Sequence, residues 1–97
     1  MPIARSGAAA VLLLAASLAS CSRTPSSVIG VVPKGSGHIF WQTVRAGAIK
    51  AARETGYRIL WNAPVQEGDR SRQIAIVESL INQRVAGIAL APNDRGA

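Results

Sequence analysis

Apolar residues along this chain fall into blocks whose spacing changes from block to block. Ala8–Ala19 is a run rich in Ala and Leu. Val28–Val32 is a short β-branched run interrupted only by Gly30. Such a run predicts a strand covered on both faces, as in a parallel sheet. Pro33 ends it, because proline has no N–H for the ladder. Over Ile39–Thr55 the spacing becomes helical, with Phe40, Val44, Ala48, Ala51 and Ala52 expected to face the sheet. Gly56 supplies the left-handed stop. Tyr57–Trp61 predicts a second strand, and Asn62–Gly68 a loop containing Pro64. Asp69 or Ser71 caps a second helix reaching to about Arg84. Its expected apolar side is Ile74, Val77, Leu80 and Ile81. Gly87–Ala91 predicts a third buried strand, ended by Pro92.

The resulting order is β-α-β-α-β with short connections. It predicts an α/β fold, with parallel strands joined by right-handed crossovers. A doubly wound sheet needs further strands to cover both faces, so the third strand is expected to keep an unsatisfied edge. The expectation is an incomplete portion of such a sheet over residues 28–97.

The amino-terminal block carries a different message. Met1–Gly7 is short and contains Arg5. The apolar block after it is shorter than the ~20 residues a bilayer requires. Leu18-Ala19-Ser20-Cys21 then places small residues before a cysteine. A charged start, an apolar core and small residues at the cleavage point define a secretory signal. The ending resembles a bacterial lipobox. That resemblance implies cleavage before Cys21, a lipid on its sulfur and a lipoprotein held at a membrane. Residues 1–20 are then a signal peptide. Residues 21–27, Cys21 with the polar SRTPSS run, form the tether to the first strand.

Composition narrows the function. The chain of 97 residues has 11 Lys and Arg against 5 Asp and Glu, a formal charge of +6. The basic positions are dispersed and no nucleic-acid-binding motif accompanies them, so they read as solvated helix faces and not as a nucleic-acid stripe. One Cys and one His make neither an internal disulfide nor a metal cluster.

Gly35-Ser36-Gly37 lies between strand and helix, as a dinucleotide loop would. Phe40, however, fills the position where that fingerprint needs a small residue. No acidic residue ends the second strand, and no phosphate-binding G-K-[S/T] is present. Ser36 and His38 are neighbours without a third group to orient a base. The reading is therefore not an enzyme and has no cofactor.

The loops at the carboxyl ends of the strands offer a small-ligand site instead. Phe40 and Trp41 are adjacent aromatics at a helix start, suited to the apolar face of a sugar ring. Asn93 and Asp94 follow the third strand and can bond hydroxyls. Spacing leaves two arrangements open. One aromatic faces the cleft, or Phe40 is core and Trp41 a partly exposed surface residue.

The segments PKGSGHIFWQTVRAGAIKAARETGYRILW and GDRSRQIAIVESLINQRVAGIALAPND resemble the amino-terminal lobe of type I periplasmic sugar-binding proteins. These are the ribose- and galactose-binding-like receptors of ABC transporters. The resemblance runs from Val28 to Ala97. It implies a periplasmic binding protein-like fold of two lobes, closing on a sugar-like solute and serving a permease in the inner membrane. It implies a ligand-contacting role for His38, an aromatic pair flanking the sugar at Phe40 and Trp41, and an acidic hydroxyl acceptor at Asp94, with Asn93 beside it. Arg72 and Gln73 are expected to be structural. The family's asparagine pair before the aromatics is replaced here by Gly37-His38-Ile39. The implied location is the periplasm or the outer face of the cytoplasmic membrane, with attachment through lipidated Cys21. A lactose-repressor-like regulator shares the fold but needs a helix-turn-helix where the signal stands. The alternative expectation is a stand-alone small envelope lipoprotein that binds no ligand.

Overall fold

The structure is a computed structural model that describes residues 24–96. The signal segment, Cys21 and the start of the tether lie outside the described residues. The elements run β1 (Val28–Val32), α1 (Ile39–Thr55), β2 (Arg58–Trp61), α2 (Arg70–Asn82) and β3 (Gly87–Leu90).

The three strands form one parallel sheet in the order β2-β1-β3. Val31 stands opposite Trp61 on one side and Ala89 on the other. The β-branched run is thus the central strand, and Val32 is fully buried. Two further bonds extend the ladders at the carboxyl end. Asn62 N–H donates to the Val31 carbonyl at 3.1 Å, and Ala91 N–H to the Val32 carbonyl at 3.0 Å.

The pleat sorts side chains between the two helices. Gly30 and Val32 turn toward α2, where Val32 packs with Ile76 and Leu80 as the buried core. Val31 turns to the other face, where it lines a groove together with Trp41 and Val44 of α1. Helices on opposite faces of a parallel sheet are the start of a doubly wound fold.

The helix ends follow local chemistry. His38 is the N-cap of α1, its Nδ1 accepting from Phe40 N–H at 3.0 Å. Gly56 closes that helix at φ 79°, donating to the Ala52 carbonyl at 3.0 Å. Asp69 caps α2 by accepting from Arg72 N–H at 3.0 Å. α2 stops at Asn82, two residues before Arg84, which takes a positive φ of 55° in the turn.

Both expected helix faces hold in part, with Val77, Leu80, Ala48 and Ala52 turned inward, and are corrected at the other positions. The inward side of α2 is Gln73, Ile76, Val77 and Leu80. Ile74 and Ile81 lie on its flanks, the latter 60% exposed. In α1 no residue is buried. Trp41, Ala48 and Ala52 are its half-buried positions, while Phe40 is 57% exposed. A three-stranded sheet is too narrow for α1 to bury a full stripe, so small residues and one aromatic make the contact. Apolar grooves flank β3 on both faces, one of about 140 Å³ beside α2 and one of about 220 Å³ beside α1.

Candidate functional site

Parallel strands bring their carboxyl ends, and therefore three loops, to one end of the sheet. These are residues 33–38 after β1, 62–69 after β2 and 91–96 after β3. Side chains stitch the loops into a single mouth.

Gln73 is the hub. It is 4% exposed, and each of its polar atoms is used. Its Nε2 donates to the Pro33 carbonyl at 3.1 Å and to the Ala91 carbonyl at 2.9 Å. Its Oε1 accepts from Asn93 N–H at 2.9 Å. A buried amide satisfied this way fixes the ends of β1 and β3 relative to each other.

Asn93 continues the stitching. Its Nδ2 donates to the Lys34 carbonyl at 3.1 Å, and its Oδ1 accepts from Gly68 N–H at 3.2 Å. One side chain therefore bridges all three loops. Gly35 makes the approach possible, because a Cβ there would stand 2.8 Å from Glu67 Cγ and 3.0 Å from its backbone nitrogen. Its need is for close contact, since its φ is not positive.

The aromatic pair sits on this rim. Phe40 and Trp41 pack edge to face, with centroids 4.9 Å apart and planes at 78°. The indole Nε1 of Trp41 donates to Glu67 Oε1, which pins that ring to the second loop. Phe40 has no such support and stands out into solvent. The two arrangements left open by spacing resolve as a supported Trp41 and a projecting Phe40.

Asp94 is half-buried and held from two sides. Its Oδ2 lies 2.8 Å from an Arg70 guanidinium nitrogen, and its Oδ1 accepts from Gly96 N–H at 2.9 Å. Both partners of the ion pair are partly exposed, so its weight in stability is small. Its effect is geometric: the carboxylate has a fixed direction. In the sequence pattern Arg70 is indistinguishable from the other dispersed basic residues of solvated helix faces. The available signal was its place directly after the Asp69 cap, at the same end of the sheet as Asp94.

The structure thus brings His38, Phe40, Trp41, Asn93 and Asp94 to one end of the sheet. His38 spends Nδ1 on the helix cap, and Asn93 spends its amide on loop backbone. Phe40 is the exposed aromatic of the set, and the half-buried Asp94 carboxylate is its acidic group. Among the described residues no group of three His, Cys, Asp or Glu side chains could hold a metal.

Over residues 29–97 the chain matches the family described as periplasmic binding protein domain. No curated protein matches it. Among solved structures it is similar to the periplasmic component of an ABC-type sugar transport system from Hahella chejuensis. The two share 35% identity with a TM-score of 0.64, over 67% of this chain and 24% of that one. It is also similar to an ABC transporter periplasmic solute binding protein from Actinobacillus succinogenes 130z, solved with bound D-allose. That match has 22% identity and a TM-score of 0.67, over 73% of this chain and 24% of the other, and is a likeness of fold. The chain therefore spans about a quarter of the length of these structures.

Proposed function

The chain belongs to the periplasmic binding protein family, and from that premise we propose that it supplies one wall of the solute site of an ABC-type importer. The solute is a sugar or a similar small polar molecule. The observation that carries the reading is the mouth itself: a projecting Phe40 and a fixed Asp94 carboxylate at the carboxyl end of parallel strands. An aromatic face matches the C–H side of a sugar ring, and a carboxylate accepts from two hydroxyls. The similar sugar-transport component from Hahella chejuensis supports the same class of solute.

Each residue has a separate part. Phe40 packs on the ring. Trp41 backs Phe40 and keeps it upright through its bond to Glu67. Asp94 accepts hydroxyls, with Arg70 holding its direction. His38 starts the helix that presents the aromatics and borders the ligand. Asn93 keeps the three loops together. No residue is assigned to bond making or breaking, so the role is capture. The signal at residues 1–20 and the lipid on Cys21 belong to the same proposal. They put the protein in the periplasm or on the outer face of the cytoplasmic membrane, beside its permease.

The test is a tryptophan-fluorescence titration of the chain with neutral pentoses and hexoses, and in parallel with nicotinamide and adenine nucleotides. A response to at least one sugar, lost in Asp94→Ala and in Phe40→Ala, is expected. A response confined to nucleotides, or one untouched by both substitutions, contradicts the proposal.

A further inference from the structure

Both ends of the sheet carry basic residues, but the acidic ones are unevenly placed: at the mouth Lys34, Arg70, Arg72 and Arg95 stand among three carboxylates, whereas the opposite end has one. All five acidic residues lie in the described part of the chain. Glu67, Asp69 and Asp94 belong to the mouth loops, and Glu78 to the middle of α2. Glu54 is the acidic residue toward the opposite end, and Lys50 Nζ stands 3.7 Å from its carboxylate. That opposite end, where the strands begin and the helices finish, carries Arg53 in the last turn of α1, Arg58 opening β2 and Arg84 in the turn after α2. All three are exposed.

Cations at helix carboxyl ends complement the helix dipole, which accounts for Arg53 and Arg84. It does not account for Arg58, which opens a strand. Nor does it account for the apolar groups beside these arginines. Arg53 and Arg58 share an open groove of about 390 Å³ with Ile49 and Tyr57. Ile49 is 40% exposed and Tyr57 45%. The tether enters at this end too, since Arg58 N–H donates to the Ser27 carbonyl at 2.9 Å. Arg23 stands two positions after Cys21 in the sequence.

We infer that the amino-terminal end of the sheet is a docking surface for an anionic lipid bilayer. Guanidinium groups bind phosphate through paired hydrogen bonds, and exposed Tyr and Ile suit the headgroup boundary. The inference rests on the anchoring part of the proposed function for how the chain reaches the membrane, and not on the identity of the solute.

The experiment is residue-by-residue arginine modification with phenylglyoxal, read by mass spectrometry. The full chain is placed on vesicles containing phosphatidylglycerol or on vesicles of phosphatidylcholine alone. A basic side chain near an anionic leaflet strengthens attachment about fivefold. Arg53, Arg58 and Arg84 are therefore expected to react about fivefold more slowly on the anionic vesicles, while Arg72 and Arg95 keep their rates. Raising salt to about 0.5 M removes the protection. In flotation, R53Q/R58Q/R84Q loses the preference for anionic vesicles, whereas K34Q/R72Q/R95Q, with the same change in charge, keeps it. Far-UV circular dichroism checks that both variants fold. Uniform protection of all arginines overturns the inference. So does a chain that floats with both vesicle types yet protects none of the three, a result that leaves anchoring itself standing. Protection that persists in Cys21→Ala supports the surface even where the lipid-anchor reading fails.

Discussion

A methyl group on Gly30 would come within 2.6 Å of Leu80 Cδ1, and Leu80 is 2% exposed with little room to turn. Gly30→Ala is therefore expected to destabilise the chain by about 1–3 kcal/mol, measured by urea titration. Gln73→Leu keeps the volume but orphans two carbonyls and one N–H at the mouth. About 3 kcal/mol is expected, with the loss of amide protection centred on residues 33–38 and 91–96 in hydrogen exchange. The aromatics should separate cleanly. Phe40→Ala weakens sugar binding with stability changed by under about 0.5 kcal/mol, because the ring is exposed. Trp41→Ala lowers both, because that ring is half-buried and ties α1 to the second loop through Glu67. At this scale the sequence exposes residue types but not their direction. Gln73 is read correctly as structural, yet its burial is invisible, since a polar residue counts against an inward face until its partners are known. The reversal of Phe40 and Trp41 has the same origin: adjacent helical positions differ by about 100° of rotation, and the bond to Glu67 sets which one turns inward.

Elements were more legible than their faces. The β1 run, the span of α1 and the Gly56 stop read directly from the chain, because each rests on local chemistry within a few residues, and of the two candidate caps for α2, Asp69 and Ser71, the structure takes Asp69. The inward stripes read only in part: Val77 and Leu80 face the core as expected, but hydrophobicity alone also selects Ile74 and Ile81, while the sheet offers α2 space along Gln73, Ile76, Val77 and Leu80. Caps give predictions of their own. Asp69→Ala removes the acceptor for Arg72 N–H and is expected to cost about 1 kcal/mol, read as a lower urea midpoint with unchanged slope. Gly56→Ala forces a side chain into the left-handed region and is expected to cost about 1 kcal/mol, although open space surrounds the site.

At the scale of the molecule the sheet is central but narrow. β1 has neighbours on both sides, whereas β3 pairs with β1 alone among the described residues and is flanked by open apolar grooves. The fully buried core is small, with Val32, Ile76 and Leu80 at its centre. Among the described residues the mouth has one wall, and burial from a second side is what gives such sites their affinity. The chain on its own is therefore expected to hold a sugar at about millimolar strength and not at micromolar strength, a difference of about 4 kcal/mol. The most direct measurement is amide and indole shift mapping by heteronuclear NMR as neutral pentoses and hexoses are added to the chain. The account predicts weak, saturable shifts gathered on Phe40, Asp94 and Arg70, with the groove residues Val44, Ala89, Ile74 and Val77 silent. Shifts that gather in those grooves while the mouth stays silent would contradict it, as would no sugar moving the mouth at all.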